Sequence, residues 1–476
     1  VPQADDADRR RRGDAMTAGQ GAAFVTSLLA GREAAADCLV ATGRVTAGEL
    51  RERVARLSHQ LAELGVGRGA TVAVQLPPSF TYVAALLAAW ELDAQVVLLD
   101  PRLPAAERER CLAHHRPGFV VGPTDAGTAP ATFREEVLLS VERLAGDADA
   151  AGPEVLVQFT SGSTGVPKVI GRTFGSIAAE LRRWDAIEGS VTSVDRVLLL
   201  SSHVHTLGLV AGILHTLHCG ATLLWPQSAQ PHHVLEAAAR LAATSVYGVP
   251  FHYELLAATA AGRPLPRLRL AISGGEPLRP ETYRRFEERY GLRIGQAYGM
   301  TEVGVIAADL VGRFPMTAGR VADGLDVELA GGEVHVRLDR SPYLVPIDPS
   351  PYEDGRLRTF DRGLLDPASG VLTISGRSDS MVSVGGLKVD LLEVEAVLRE
   401  HPAVDDAVVL LDEVTEAYVA TREERPVPDL LAWCGERLAP HKVPRRFFLG
   451  RALPRTPTGK TLRNRDELRR ALIRSA

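Results

Sequence analysis

From Thr46 to Tyr298 the sequence alternates helical stretches with short apolar runs, and this alternation constrains the fold most. Thr46 to Gly65 reads as a helix, with capping-box spacing between Thr46 and Glu49 and a glycine suited to its end. Gly69 to Leu76 reads as a strand closed by Pro77-Pro78, Thr81 to Trp90 as a helix, and Ala94 to Leu99 as a strand running into Asp100-Pro101. Pro104 to His115 is helical and Phe119 to Val121 extended. Glu154 to Phe159, Arg196 to Leu200, Ala221 to Trp225, Ser245 to Val249, Leu268 to Ser273 and Arg293 to Tyr298 are further strands. Ile177 to Asp185 and an apolar stretch around Val210 to Leu217 are helical. Short buried strands joined through helices point to a parallel α/β sheet.

Later the texture changes. Asp326 to Leu338 alternates apolar and polar residues around Gly331-Gly332, a hairpin pattern. After Gly376 come a helix at Leu391 to Glu400, strands at Ala407 to Leu411 and Tyr418 to Thr421, and a helix at Asp429 to Leu438. This reads as a small α+β domain whose sheet is trimmed between Leu411 and Tyr418. At 476 residues the chain is too long for one ordinary core. A formal charge of −5 gives no basic field for nucleic acid or an anionic membrane. The four cysteines are scattered without metal-ligand spacing, and no apolar run reaches the ~18 residues needed to span a bilayer. The expectation is a reduced, cytoplasmic protein, with residues 1–22 a disordered leader.

Only four of the 54 basic residues are lysines: Lys168, Lys388, Lys442 and Lys460. An ammonium is a compact, mobile point charge and a guanidinium a planar fork, so the exceptions mark places where that difference counts. Lys168 and Lys460 each end a turn rich in glycine and hydroxyls. Thr160, Ser161, Gly162, Ser163, Thr164 and Gly165 lead to Lys168 through Val-Pro, which suits a phosphate cradle built from backbone N–H groups, hydroxyls and one ammonium. Neither turn is a Walker A loop.

Phe159-Thr-Ser-Gly-Ser-Thr-Gly-Val-Pro-Lys168 resembles the signature loop of the adenylate-forming superfamily. That superfamily includes acyl- and aryl-CoA ligases, adenylation domains of nonribosomal peptide synthetases, and beetle luciferases. Five further motifs follow in the family's order: Ser273-Gly-Gly-Glu-Pro-Leu278, Gly295-Gln-Ala-Tyr-Gly-Met-Thr-Glu302, Arg358-Thr-Phe-Asp361, Gly376-Arg-Ser-Asp379 with Gly385-Gly-Leu-Lys388, and Pro457-Thr-Gly-Lys460. The resemblance covers about Ala23 to the end. It implies a large N-terminal domain of layered mixed and parallel β-sheets with helices (23–376), a hinge (377–380) and a small mobile α+β C-terminal domain (381–476).

The resemblance also implies a chemistry. A carboxylic acid reacts with ATP to give acyl-AMP and pyrophosphate, and the acyl group passes to the thiol of CoA or of a carrier-protein phosphopantetheine. In this scheme Lys460 bridges carboxylate and α-phosphate, Thr301 lies near the α-phosphate, and Glu302 holds Mg²⁺. Tyr298 stacks on adenine, Gly275, Glu276 and Pro277 line the base, and Asp361 and Arg377 reach the ribose. Asp379 is the hinge. Taken alone, Glu302 and Asp361 would read as solvated surface charges. Lys388 stays open between an acceptor contact and a solvent-facing strand residue, and Lys442 between a structural and an acceptor-facing role. One departure is Phe360, which stands where the family's T-G-D motif has glycine.

By the same resemblance the acid pocket consists of His205, Thr206, Phe251, Ser273, Gly274, Ala297, Gly299 and Met300. Thr206 stands where amino-acid-activating relatives carry an Asp. A buried ammonium without a counter-charge is costly, so a standard α-amino acid is disfavoured. The glycines and Ala297, walled by Phe251 and Met300, suit an aryl or cinnamoyl-type acid or a short acyl chain. His205 is open between a substrate gate and a packed core histidine, and His203 has no assigned role. The acceptor stays open among CoA, a separate carrier protein and a non-thiol nucleophile of a secondary-metabolite pathway. A non-catalytic protein of the same fold is the remaining alternative.

Overall fold

The structure, a computed structural model, describes residues 18–475 except 104, 125–131, 145–149, 151, 161–167, 260–264, 348, 385–386, 423–426, 439–441 and 457–458. Ser161, Gly162, Ser163, Thr164 and Gly165, the Gly385-Gly386 pair, Pro457-Thr458 and most of the leader therefore lie outside the described residues. The chain divides into two compact units. One runs to Leu325 and takes in Asp339–Ser350; the other joins Asp326–Leu338 to the chain from Pro351 onward. The units thus part well before the hinge motif.

The first unit is α/β, as the alternation implies. One sheet runs in the order Leu139–Arg143, Phe119–Pro123, Thr71–Val74, Gln95–Leu98, Leu156–Thr160, Lys168–Arg172. Its inner strands are parallel and the pairings at its two ends antiparallel. A second sheet runs in the order Gly319–Val321, Gly304–Asp309, Ile294–Met300, Leu270–Gly274, Ser245–Gly248, Arg196–Leu199, Thr222–Leu224, Asp37–Val40, Arg44–Thr46. The neighbours from Ile294–Met300 to Asp37–Val40 are parallel.

Both sheets share one apolar core with the helix Phe80–Glu91, which is buried from Phe80 through Trp90. A helix apolar all round belongs inside. Its one polar ring atom at that end, Trp90 Nε1, donates to the Val155 carbonyl at 2.9 Å. The helix Ala47–Glu63 starts with the expected capping box: Glu49 N donates to Thr46 Oγ1 at 3.2 Å and Thr46 N to Glu49 Oε2 at 2.7 Å.

Two sequence expectations need correction here, and one gains detail. Residues 20–22, expected as part of a disordered leader, are helical, since a helix begins at Gln20. The Asp93 carboxylate accepts from Gly19 N at 2.6 Å and Gly21 N at 2.7 Å, which holds that helix start. The apolar helix expected at Val210 to Leu217 is a π-helix over Leu207–Leu214 running into an α-turn at His215–His218. Gly208 lets the helix start lie close to the chain before it: a Cβ there would sit 2.0 Å from the Ser202 carbonyl oxygen. The small sheet is also not trimmed. Val404–Leu411 and Thr415–Thr421 are longer than expected and pair antiparallel from Val404↔Thr421 to Leu411↔Thr415, so the short connection is a tight hairpin.

In the second unit the predicted hairpin pairs Val327–Ala330 with Glu333–Arg337, and both turn glycines have positive φ, 61° and 82°. Arg356–Leu365 and Val371–Arg377 extend this antiparallel arrangement. A separate sheet runs Val404–Leu411, Thr415–Thr421, Arg446–Gly450, Ile473–Ser475, with helices Leu391–Arg399 and Val427–Arg437 packed into its apolar core. Among the described residues no helix is long and apolar enough to cross a membrane.

Candidate active site

In the first unit the motif residues collect where parallel strands end. Ser273–Gly274 close the Leu270–Gly274 strand, and they pair in register with Gln296 and Ala297. Open α/β sheets bind ligands outside the carboxyl ends of their strands. The backbone there is tightly fitted. A Cβ on Gly274 would meet the Ala297 carbonyl oxygen at 2.7 Å, and one on Gly299 the Gly304 oxygen at 2.3 Å. Gly275 has φ 89°, a conformation that favours glycine, and it passes the chain to Glu276 and Pro277. Phe251 is half-buried at the start of the helix Pro250–Ala258.

Thr160 and Lys168 face each other across an antiparallel pair, so the two ends of the glycine-rich turn are adjacent. Lys168 Nζ lies 5.9 Å from the centre of the Tyr343 ring, within cation–π range. The Tyr343 hydroxyl donates to Glu302 Oε1 at 3.1 Å. Burial, reinforced by the Glu302 carboxylate, pushes the Tyr343 phenol well above its ordinary pKa, so it stays a donor. Glu302 is buried, not a solvated surface charge. Tyr343 escaped the sequence reading. The only signal was an apolar island, Tyr343-Leu-Val345, in a polar stretch.

Thr301 and Glu302 sit on the turn between Ile294–Met300 and Gly304–Asp309. A buried ion pair grips this turn. Arg172 Nη2 donates to Glu180 Oε2 at 3.0 Å, and the two side chains are 3% and 1% exposed. Arg172 Nη1 reaches the Thr301 carbonyl at 3.4 Å, and Val305 N donates to Glu180 Oε1 at 3.1 Å. Arg183 Nη2 donates to the Val303 carbonyl at 2.8 Å. Gly304 has φ 87°, and a Cβ there would strike the Glu180 carboxylate at 2.1 Å.

The two histidines of the acid motif divide the roles left open. His205 has a 45% exposed side chain, 4.0 Å from Asp100 Oδ2, and is not a packed core residue. His203 is the buried one. Its Nε2 lies 2.9 Å from the Leu76 carbonyl, and its own carbonyl accepts from Tyr82 Oη at 3.0 Å. Burial pulls the His203 pKa down to about 4, against the Leu76 carbonyl and Asp100, which favour the charged ring. In the unfolded chain the ring protonates near 6.5. Between those values the unfolded state binds more protons, so stability falls as pH drops through that window. The expected loss is about 2 kcal/mol between pH 7 and pH 5. Denaturation midpoints at the two pH values check it: the gap should shrink in His203→Gln.

Thr206 Oγ1 lies 3.5 Å from Gln158 Oε1, and Gln158 Nε2 donates to the Val204 carbonyl at 2.7 Å. Thr206 therefore brings a hydroxyl, not a carboxylate, to its position.

In the second unit Asp361 is paired in register with Arg377, whose Nη1 donates to Asp361 Oδ1 at 2.9 Å. Phe360 keeps the left-handed backbone that glycine would take, with φ 61°. Such a conformation costs a bulky residue about 1–2 kcal/mol. Neighbouring bonds hold it. Asp361 N donates to Thr359 Oγ1 at 3.0 Å, Ser378 Oγ to the Phe360 carbonyl at 3.1 Å, and the Arg358 guanidinium lies 4.9 Å from the ring centre. Asp379 lies in the turn Ser378–Ser380, and Lys388 in the strand Leu387–Asp390. Lys442 Nζ pairs with both Glu393 carboxylate oxygens, at 2.7 and 2.6 Å, a contact inside its own unit. Lys460 has an exposed side chain.

The sequence of this fold has counterparts. Residues 29–337 match the AMP-binding enzyme family and residues 393–460 its C-terminal domain. A feruloyl-CoA synthase from Amycolatopsis sp is 30% identical over 470 residues, covering 90% of this chain and 94% of that protein. Among solved structures, the O-succinylbenzoate coenzyme A synthetase of Bacillus subtilis in complex with AMP superposes with TM-score 0.78 at 25% identity, over 93% of this chain and 97% of that one. An amide bond synthetase from Marinactinospora thermotolerans gives TM-score 0.75 at 26% identity, over 93% and 98%. With its two family domains in order, its shared fold and its motif residues at the ends of parallel strands, the chain belongs to the AMP-binding, adenylate-forming enzymes.

Proposed function

We propose that the protein activates an aryl or cinnamoyl-type carboxylic acid with ATP and passes the acyl group to CoA. The observation that carries this reading is the gathering of Ser273–Pro277, Ala297–Glu302, Thr160 and Lys168 at strand ends in one unit. The feruloyl-CoA synthase and the O-succinylbenzoate synthetase support the acid class and the thiol. Thr206 supports exclusion of α-amino acids, whose ammonium would lack a carboxylate there.

In the first half-reaction a carboxylate oxygen attacks the α-phosphorus and pyrophosphate leaves. Two anions must approach, so positioning and charge neutralisation supply the catalysis. Lys460 neutralises the approach, Lys168 closes the turn that cradles phosphate, and Thr301 donates near the α-phosphate. Glu302 fits Mg²⁺, which takes one or two protein carboxylates and completes its shell with phosphate and water. When bound, that ion neutralises phosphate charge. Tyr298 and Gly275–Pro277 hold adenine, and Asp361 accepts from the ribose hydroxyls with Arg377 beside it. In the second half-reaction the thiolate attacks the acyl carbon and AMP leaves. Asp379 is the hinge between the two stages.

The test is pyrophosphate release against a panel of aryl, cinnamoyl, short acyl and amino acids, with Lys460→Ala as control. If no acid gives release above that control, acid activation is refuted. Adding CoA, a carrier protein or an amine to a positive reaction names the acceptor. The amide bond synthetase makes an amine the second reading worth including.

A further inference from the structure

We infer that Asp406 is a positioning residue for Lys460: its carboxylate ties the chain on both sides of that lysine to one strand. The inference rests on the adenylation role proposed for Lys460.

Asp406 lies on the strand Val404–Leu411 and is 5% exposed. Its two oxygens do different work. Oδ1 accepts from Arg399 Nε at 3.0 Å and Ala407 N at 2.9 Å, both close in sequence. Oδ2 accepts from Arg455 Nη2 at 3.2 Å and Thr461 Oγ1 at 3.0 Å, both about fifty residues away and on opposite sides of Lys460. Arg455 also donates through Nη1 to the Gly459 carbonyl at 2.9 Å, and Arg455 and Thr461 form an antiparallel bridge. Lys460 N donates to Thr456 Oγ1 at 3.1 Å, Thr456 N to the Lys460 carbonyl at 2.6 Å, and Leu462 N to the Pro454 carbonyl at 2.8 Å. The described residues on the two sides of the lysine are thus bonded to one another, and Arg455 and Thr461 fix them to Asp406.

Two guanidiniums face this carboxylate, Arg399 at Oδ1 and Arg455 at Oδ2. Arg399 comes from the neighbouring helix Leu391–Arg399, whereas Arg455 and Thr461 belong to the segment that carries Lys460, so their bonds locate that segment. Hydrogen bonds to an ionised carboxylate are stronger than those between neutral groups, which suits a fixed point. The Lys460 side chain is exposed and has four rotatable carbons, so its reach is set by its backbone. Further along, Arg463 makes a bidentate pair with the buried Glu395 at 2.9 and 2.7 Å, a second hold on the outgoing chain that is linked to Asp406 through Arg399.

The half-reactions separate positioning from folding. Lys460 is assigned to adenylation only, so a displaced loop slows that step and spares thioester formation. The assays are ATP–pyrophosphate exchange, and thioester formation from CoA and the synthetic acyl-adenylate. Ferulate, benzoate and acetate serve as probes, compared on whichever the native chain turns over fastest. Asp406→Asn is expected to lower exchange by about 100-fold and to leave thioester formation unchanged. Thr461→Val removes one hydroxyl and no charge, and is expected to cost about tenfold in exchange alone. If Asp406→Asn does not fold, Thr461→Val decides. Native-level exchange in Thr461→Val, or equal loss of both half-reactions, overturns the inference. Lys460→Ala, run alongside, reports on the underlying role: exchange retained there removes both that role and the inference, whereas exchange lost there but kept in Thr461→Val removes the inference alone.

Discussion

Replacing Lys460 by alanine should lower acyl-adenylate formation by about 100- to 1000-fold, the usual cost of removing one preorganised charge stabiliser. The thermal midpoint should stay where it is, because the side chain is exposed and its backbone contacts remain. Arginine is expected to restore little. A guanidinium keeps the charge but is a broad planar fork, and two approaching oxyanions leave room for a point charge. The composition makes the same argument, since only four of 54 basic residues are lysines. Pyrophosphate exchange on the native chain, Lys460→Ala and Lys460→Arg measures it. Native-like exchange by the arginine variant would show that the choice of lysine is an accident of composition, even with the family membership intact.

Arg172→Met should destabilise the protein by about 3–5 kcal/mol, because it leaves the Glu180 carboxylate buried without its cation. Thermal midpoints should fall by roughly 5–10 °C. Adding Glu180→Gln removes the stranded charge and keeps an acceptor for Val305 N, so the double variant should recover much of that stability. Activity should recover less. The lost Arg172 contact with the Thr301 carbonyl belongs to the turn that presents Glu302, and no neutral partner replaces it. A double variant with both stability and native pyrophosphate release would reduce the Arg172–Glu180 pair to packing.

What the sequence made legible was local. The capping box at Thr46, the Gly331-Gly332 hairpin and the alternation of strand and helix are written in adjacent residues. The motif glycines Gly274 and Gly299 were legible through the family resemblance, and the structure gives the reason for them: a Cβ at either would strike backbone. What escaped was carried by single residues acting over long separations. Tyr343 meets Glu302 across 41 positions, and Arg455 and Thr461 meet Asp406 across 49 and 55. No spacing announces such partners. The π-helix at Leu207–Leu214 was hidden for another reason: where every residue is apolar, periodicity cannot separate one helical pitch from another. Phe360 stands out in the sequence as a departure from the family's T-G-D motif, and only the structure shows its left-handed backbone and the bonds around it.

The return of residues Asp339–Ser350 to the first unit does more than deliver Tyr343. Lys168–Arg172 ends its sheet, and its outer side is met by Gly171 N donating to the Pro342 carbonyl and Leu344 N to the Val169 carbonyl, both at 2.9 Å. An open strand edge invites pairing with other chains, and proteins cover such edges or blunt them. Here the cover comes from beyond the end of the first continuous stretch. A fragment stopped at Leu325 bares an edge containing Val169 and Ile170, whereas one carried through Ser350 keeps it sealed. Solubility of the two fragments is therefore expected to differ by their last twenty-five residues, and any scheme that splits this enzyme for complementation has its safer cut after Ser350.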